Sequence, residues 1–153
     1  MSDLKIAVFA GSFDPITKGH EALVIKALPL FDKIIIGIGN NVEKKYMFST
    51  EQRLSHIHSC FKTHKKIEAQ FYEGLTVNFC KQVGATYMIR GLRNSTDFEF
   101  EKNIAQMNKA ISGIETAFFI TDPEFSAISS TVIRDIYRNG GDIRPFIPNG
   151  IDL

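Results

Sequence analysis

The sequence is poor in cysteine and contains no long apolar run. Its two cysteines, Cys60 and Cys80, form no C-x-x-C pair, so the pattern suggests neither a disulfide framework nor a structural zinc site. No stretch approaches the roughly 18 to 20 consecutive apolar residues of a spanning helix, and Lys5 interrupts the short apolar run of residues 1–9. We therefore expect a soluble cytoplasmic protein with neither a signal peptide nor a membrane partner.

The sequence also lacks an excess of either charge. Its 153 residues include 18 Lys and Arg against 17 Asp and Glu, so there is no basic field for non-specific binding of nucleic acid. We expect no nucleic-acid partner, and any phosphate site must depend on locally placed cations. With 44% hydrophobic and 23% charged residues, the composition predicts one globular domain over residues 1–153.

Short apolar runs rich in β-branched residues alternate with segments of helical periodicity. The apolar runs predict strands at residues 6–10, 33–38, 66–72, 87–89 and 115–120. The segments between them predict helices at residues 21–30, 50–61, 76–83, 97–111 and 130–138. Ser49 and Gln52 predict a capping box, and Gly84 and Gly140 stand where helices should stop. This alternation predicts an α/β fold with a doubly wound parallel sheet.

Ligands bind such sheets beyond the carboxyl ends of the strands, and the first strand is followed there by G-S-F-D-P-I-T-K-G-H. Gly11 permits close backbone approach and Ser12 offers a hydroxyl. Gly19 and His20 fall at the predicted helix start, where N–H groups and the helix dipole favour anions. The segment has the outline of a phosphate site. The alternative is an ordinary turn in which His20 bonds to the backbone.

The segment after the fourth predicted strand carries two arginines three positions apart. Arg90 and Arg93, with Gly91 between them, can present separate guanidinium forks to adjacent phosphate groups. Glu101 can accept a hydrogen bond from a ribose. The competing interpretation pairs both arginines with Asp97 and Glu101 in a solvated cluster, which is commonly worth only about 0–1 kcal/mol.

A third polar segment precedes the last predicted helix. Ser129, Ser130 and Thr131 place consecutive hydroxyl groups at its N-terminus, where they can satisfy free backbone N–H groups as an ordinary cap. The same donors can bind the β and γ phosphates of a nucleotide. Both interpretations remain open on this segment alone.

Together the segments resemble the motifs of a known enzyme family. T-K-G-H, beginning at Thr17, resembles the T/H-x-G-H signature of the nucleotidyltransferase superfamily, and I-S-S-T-V-I-R resembles its I-S-S-T-x-I-R motif. R-G-L-R followed by D-F-E-F-E is similar to the hallmark of the phosphopantetheine adenylyltransferases, as is K-K-Y-M-F at residues 44–48. The likeness covers residues 6–148 and implies the Rossmann-like nucleotidyltransferase fold.

The resemblance implies transfer of the adenylyl group of ATP to 4′-phosphopantetheine, with Mg²⁺ held by ATP phosphates and water. It implies catalytic roles for Ser12, His20, Lys44 and Arg90, and contacts of phosphopantetheine with Ser12, Lys44, Thr76 and Arg90. A homohexamer with coenzyme A as feedback ligand is also implied. The implied ATP-binding residues are Ser12, Phe13, His20, Gly91, Leu92, Arg93, Glu101, Ser126, Ala127, Ile128, Ser129, Ser130, Thr131 and Val132.

Two positions depart from the family pattern where the acceptor is expected. Tyr46 replaces the Pro that often follows the two lysines, which predicts a less rigid loop. Thr76 is more polar than the usual apolar residue, which predicts an altered pantetheine pocket. Two other functions stay open: adenylyl or cytidylyl transfer to another phosphate acceptor such as nicotinamide mononucleotide, and nucleotide sensing without turnover.

A metal site on the second predicted helix is a further alternative. His56, Cys60 and His64 lie at i, i+4 and i+8, and imidazole with thiolate suits zinc. His64 is expected beyond the helix end and the sequence offers no fourth ligand. We therefore expect ordinary helix residues here.

Overall fold

A five-stranded parallel sheet organises the chain, and the computed structural model describes residues 4–153. The strands are β1 (Ile6–Gly11), β2 (Lys33–Gly39), β3 (Ile67–Tyr72), β4 (Tyr87–Leu92) and β5 (Glu115–Ile120). Their order is β3-β2-β1-β4-β5, and every neighbouring pair is parallel. The sheet grows outward in both directions from β1 and β4, so the predicted doubly wound fold is confirmed. Residues 1–3 lie outside the described residues. They belong to the N-terminal segment, residues 1–9, in which we expect no signal peptide.

Five α-helices connect and follow the strands in the described chain. They are α1 (Lys18–Ala27), α2 (Thr50–Phe61), α3 (Thr76–Gln82), α4 (Ser95–Ser112) and α5 (Ser130–Arg138). Short 3-10 turns occupy Leu28–Leu30, Pro123–Phe125 and Arg144–Phe146. Among residues 4–153, no helix combines the length and apolar character that a membrane span needs.

Alternation along the strands builds a hydrophobic cluster on each face of the sheet. In β1, Ala7 and Phe9 pack with buried residues of α1 and α2, whereas Val8 and Ala10 pack with those of α3. Side chains of a strand point alternately to opposite faces, so a single short run attaches helices to both sides. A smaller cluster around Ile133 joins α5 to the C-terminal segment.

The first helix begins earlier than the sequence predicted. It starts at Lys18 rather than at residue 21, because Thr17 and His20 form a capping box. The Thr17 hydroxyl accepts from the His20 backbone N–H at 3.2 Å, and His20 Nδ1 accepts from the Thr17 N–H at 3.0 Å. The predicted end of this helix is instead the 3-10 turn Leu28–Leu30, where Pro29 lacks an N–H for a further helical bond.

The fourth strand is longer than predicted. It continues to Leu92 instead of ending at residue 89, and Arg90 and Gly91 pair with Phe118 and Phe119 of β5. Arg90 therefore projects from a sheet strand rather than from a loop. A strand fixes its side chain more firmly than a loop would, which suits a binding residue.

The predicted helix-capping residues are confirmed. Ser49 Oγ accepts from the Gln52 N–H at 3.1 Å, and Gln52 Oε1 accepts from the Ser49 N–H at 2.9 Å. Gly84 and Gly140 follow the ends of α3 and α5 with φ of 75° and 79°. These left-handed conformations are ones that glycine adopts without steric cost.

Candidate active site

Three cavities adjoin at the carboxyl ends of β1 and β4, where the strand order reverses. The His20 cavity, of 390 Å³, is lined by His20, Arg93 and the start of α5. The Thr76 cavity, of 350 Å³, is lined by Thr76 and one side of α4. The Lys44 cleft, of 620 Å³, is lined by residues of the loop after β2. Gly11 borders all three, and Arg90 borders the His20 and Thr76 cavities.

A strained turn follows β1 and places an aromatic ring against His20. Phe13 has φ of 48°, although it is a bulky residue and buried. A left-handed conformation costs a non-glycine residue about 1–2 kcal/mol. Its ring meets the rings of Phe9 and His20 edge-on, with centroid distances of 5.4 and 5.1 Å. The surrounding core thus holds the turn in a conformation that it would not adopt alone.

His20 is held as a neutral hydrogen-bond donor. Burial, and then the positive charge of Arg90, lower its pKa to about 4, so the ring is uncharged at neutral pH. Nδ1 accepts from the backbone N–H of Thr17, which leaves the ring proton on Nε2. The backbone bond of His20 is therefore confirmed, while the ring also lines the cavity with a free donor, and the phosphate site stays a prediction.

Arg90 is fixed by a bidentate ion pair with Glu101. Its Nε and Nη2 donate to the two carboxylate oxygens at 2.9 and 2.6 Å, and Nη1 donates to the Ala10 carbonyl at 3.1 Å. Arg93 donates to Asp97 through its side chain at 3.2 Å and its backbone at 2.9 Å. These bonds lower the Asp97 pKa.

The pairs of the competing interpretation are therefore confirmed. The Arg93–Asp97 pair is solvated, as that interpretation expected, whereas the Arg90–Glu101 pair is partly buried. Glu101 is only 8% exposed, and both ion pairs border the His20 cavity. The contact of Glu101 with a ribose stays a prediction.

Lys44 and Ser12 meet although they are distant in sequence. The Lys44 ammonium donates to Ser12 Oγ at 3.1 Å. Both side chains line the Lys44 cleft. The structure thus brings together a cation and a hydroxyl in the cleft that adjoins the other two cavities at Gly11.

The start of α5 contributes its hydroxyl groups unequally. Ser129 is the N-cap, with Oγ accepting from the Val132 N–H at 3.5 Å, and Ser129 and Ser130 line the His20 cavity. Ser126 donates to the Pro123 carbonyl at 3.0 Å, within its own turn. The ordinary cap is therefore confirmed, and binding of nucleotide phosphates at this helix start stays a prediction.

Comparison with known proteins agrees with this geometry. Residues 8–136 match the model of the cytidylyltransferase-like family. The phosphopantetheine adenylyltransferase of Flavobacterium psychrophilum is 49% identical, over 97% of this chain and 98% of that protein. Those of Cytophaga hutchinsonii and Bacteroides thetaiotaomicron are 50% and 41% identical, covering 94% and 98% of this chain and 97% and 99% of theirs.

The chain belongs to the phosphopantetheine adenylyltransferase family. A solved bifunctional NMN adenylyltransferase/ADP ribose pyrophosphatase from Francisella tularensis, in complex with AMP and a manganese ion, superimposes with a TM-score of 0.69 at 20% identity. The superposition covers 95% of this chain and 44% of that one, and it confirms the Rossmann-like nucleotidyltransferase fold.

The His20 cavity is lined by some of the ATP-binding residues that the family resemblance implies. They are Phe13, His20, Gly91, Arg93, Glu101, Ile128, Ser129 and Ser130. The lining of this cavity does not include Ser12, Leu92, Ser126, Ala127, Thr131 or Val132. Leu92 is buried in β4, while Ala127 and Val132 line a separate cavity of 460 Å³.

Sequence reasoning missed several residues that shape the adenylyltransferase site. Thr17, which the sequence indicates only as the first residue of T-K-G-H, is the N-cap of α1 and forms a capping box with His20. Asp14 is buried and accepts from the backbone N–H groups of Met47 and Phe48, each at 2.8 Å. Arg53, fully buried on α2, gave no signal, because a lone arginine in a helix ordinarily faces solvent.

Two of the three residues considered for a metal site bond to other partners elsewhere in the chain. His56 Nε2 lies 3.0 Å from the Asp152 carbonyl, and Cys60 Sγ donates to Glu21 at 3.3 Å. Burial raises the Cys60 pKa, which disfavours the thiolate that zinc requires. In the part of the chain that the structure describes, no three metal-ligating side chains converge.

Proposed function

We propose that the chain transfers the adenylyl group of ATP to 4′-phosphopantetheine, giving dephospho-coenzyme A and pyrophosphate. The observation that carries this proposal is the shared wall of the His20 and Thr76 cavities, which contains Gly11, Arg90 and Glu101. A reaction between two phosphate-bearing substrates needs two sites that meet at a cation. Arg90 is that cation, and Lys44 with Ser12 lies at the adjoining cleft.

ATP is proposed to bind in the His20 cavity. The neutral His20 ring supplies an N–H donor, Arg93 supplies a positive charge, and the N-terminus of α5 supplies free backbone N–H groups. These donors are already held by a capping box and an ion pair. Preorganised donors stabilise developing charge without reorganising during the reaction.

The acceptor is proposed to bind in the Thr76 cavity. Its wall contains the apolar side chains of Leu75, Ile104 and Ile111, which suit the uncharged pantetheine arm. Arg90 at the shared wall suits the terminal phosphate. In this arrangement Lys44 and Ser12 approach the same phosphate from the neighbouring cleft.

The proposed chemistry needs no general base. The acceptor phosphate is ionised at neutral pH and attacks the α-phosphorus of ATP in line, forming one P–O bond as the bond to pyrophosphate breaks. His20, Lys44, Arg90 and the Ser12 hydroxyl would stabilise charge on the α-phosphoryl oxygens. Holding both substrates in line supplies the rest of the acceleration.

The residues of the His20 cavity fit a magnesium ion bound through the nucleotide. Its lining carboxylates in the described chain, Asp97 and Glu101, are both paired with arginines. The remaining protein donors are hydroxyl and N–H groups, so Mg²⁺ would take its ligands from ATP phosphates and water. When bound, the ion supplies charge neutralisation on the phosphates, while the protein residues hold the nucleotide.

A homohexamer with coenzyme A as feedback ligand is proposed from family resemblance. Exposed apolar side chains on α4 support a subunit contact: Phe98, Phe100 and Met107, since Ile104 also lines the Thr76 cavity. Light scattering on the purified protein would test the assembly. Cytoplasmic location stays a prediction of the sequence.

The decisive experiment mixes the protein with ATP, Mg²⁺ and phosphopantetheine, and measures pyrophosphate release and dephospho-coenzyme A by mass spectrometry. Nicotinamide mononucleotide as acceptor tests the alternative transferase, and ATP binding without pyrophosphate release would indicate a sensor.

His20→Ala should lower kcat about 100- to 1,000-fold, as loss of one preorganised donor does. His58→Ala, exposed on α2, is the matched control. A His20→Ala rate near that of the parent would defeat the assignment.

A further inference from the structure

Arg53 joins the loops after two neighbouring strands and has no part in the chemistry proposed above. Its side chain is fully buried on α2. Nη1 donates to the Ser12 carbonyl at 2.9 Å and to the Gly39 carbonyl at 3.2 Å. Ser12 follows β1 and Gly39 ends β2, so a single guanidinium group sets the spacing of the two loops that carry Ser12 and Lys44.

The rest of the Arg53 guanidinium faces an aromatic ring. Nε and Nη2 have no hydrogen-bond partner within residues 4–153. The guanidinium carbon lies 3.8 Å from the centroid of the Tyr46 ring, well inside the range of a cation–π contact. Burial lowers the pKa of Arg53, and the neighbouring Tyr46 and Asp14 side chains oppose that shift.

Tyr46 also fixes the loop that carries Lys44. Its hydroxyl accepts from the Asn41 N–H at 2.9 Å and donates to the Gly39 carbonyl at 3.2 Å. The Lys44 ammonium lies 5.6 Å from the centroid of the same ring. Tyr46 thus supplies a stacked cation and two hydrogen bonds where a proline would constrain the backbone, and the lower rigidity expected of this loop stays a prediction.

We infer that Arg53 and Tyr46 are positioning residues that hold the Lys44 ammonium against the Ser12 hydroxyl. The inference rests on the proposed function, in which Lys44 and Ser12 meet the reacting phosphate. Neither Arg53 nor Tyr46 needs to touch a substrate, since they act through the Ser12 and Gly39 carbonyls and through the loop. The effect of Tyr46 on the reaction, which acts through the Lys44 loop, should therefore vanish when Lys44 is removed.

A double-mutant cycle tests this dependence. Tyr46→Leu should lower kcat about 10- to 100-fold, as misplacement of a reacting group by about 1 Å does, with the KM for ATP within about twofold of the parent. In a Lys44→Ala background, Tyr46→Leu should lower kcat no further. If Tyr46→Leu lowers kcat by the same factor with and without Lys44, the inference is overturned. A purely structural role would lower kcat equally in both backgrounds.

Conservative and control variants complete the experiment. Tyr46→Phe keeps the ring but loses the two hydrogen bonds of the hydroxyl, so its kcat should fall between those of the parent and Tyr46→Leu. Arg53→Lys should recover part of the activity that Arg53→Met loses. Glu43→Ala, exposed in the same loop, should match the parent. If Arg53→Met does not fold, the Tyr46 cycle still decides. A parent protein that releases no pyrophosphate contradicts the proposed function, whereas an active parent with a multiplicative cycle contradicts only this inference.

Discussion

The His20 and Thr76 cavities share a wall, yet their side chains are held in different ways. In the His20 cavity the polar groups are tied in advance: His20 to Thr17 by a capping box and Arg93 to Asp97 by an ion pair. In the Thr76 cavity the wall includes Leu75 and Ile111, exposed by 60% and 61%. One cavity is prepared for charge, and the other offers apolar surface that a ligand must cover.

This difference predicts which kinetic constant each cavity controls. Recognition of developing charge needs fixed donors, whose loss appears mainly in kcat. Recognition of an apolar arm needs only burial, whose loss appears in KM. Substitutions in the two cavities should therefore separate kcat from the KM of the acceptor, and residues on the shared wall should affect both.

The largest effect is expected at Arg90, on the shared wall. Arg90→Met should abolish measurable transfer, a loss of at least about 1,000-fold, since both proposed sites lose their cation. It also leaves Glu101 buried without a partner, which should lower the free energy of unfolding by about 3 kcal/mol. Product formation and urea denaturation measure the two effects.

A second substitution separates these two effects of Arg90. Adding Glu101→Gln to Arg90→Met removes the unpaired charge and should restore most of the stability without restoring activity. Recovery of transfer in the double variant would mean that Arg90 serves only to neutralise Glu101. Arg90 would then not bind substrate in either cavity.

A smaller effect is expected at Thr17, which belongs to the His20 cavity alone. Thr17→Val keeps the shape of a buried side chain but removes the hydroxyl that accepts from the His20 N–H. We expect a loss of about 1 kcal/mol in unfolding free energy and a roughly tenfold lower kcat, since the cap also orients the imidazole. Thr17→Ser keeps the hydroxyl and should resemble the parent. A lower acceptor affinity with normal kcat would contradict the assignment.

In the Thr76 cavity, the hydrogen bond between Thr76 and Tyr72 allows a more selective test. The two hydroxyl oxygens are 2.9 Å apart. Thr76→Val and Tyr72→Phe should each change the KM for phosphopantetheine about fivefold, the equivalent of one hydrogen bond of about 1 kcal/mol, with kcat and the KM for ATP unchanged. The double variant should match either single one if the hydroxyls act as a pair. A change in kcat would show that the cavities are not separable.

Much of this arrangement could be predicted because it depends on local patterns. Short apolar runs rich in β-branched residues identified the strands, and Ser49 with Gln52 identified a helix start. The start of α1 was missed because the capping box of Thr17 uses the imidazole of His20 in place of the usual Glu or Gln side chain.

What the sequence could not predict depends on distant partners. The end of β4 was missed because Arg90 and Gly91 resemble loop residues until β5 pairs with them. Arg53 was missed because its burial depends on two carbonyl groups and a ring from other segments. Such contacts leave no periodic pattern in the sequence.

The protonation of His20 is expected not to change between pH 8 and 6. Its ordinary pKa of 6.5 would place its titration within the working pH range, but burial and Arg90 lower the pKa to about 4. The folded state therefore favours the neutral ring, whose contribution to stability is complete above pH 6.5 and is lost as the pH falls through 4. Nitrogen-15 shifts of the imidazole should show a protonated Nε2 and a bare Nδ1 unchanged from pH 8 to 6, with His20→Gln identifying the signals. Titration with a midpoint near 6.5 would contradict the neutral donor, and the His20 cavity would then be expected to bind phosphate by charge, as we propose for Arg90 on the Thr76 side.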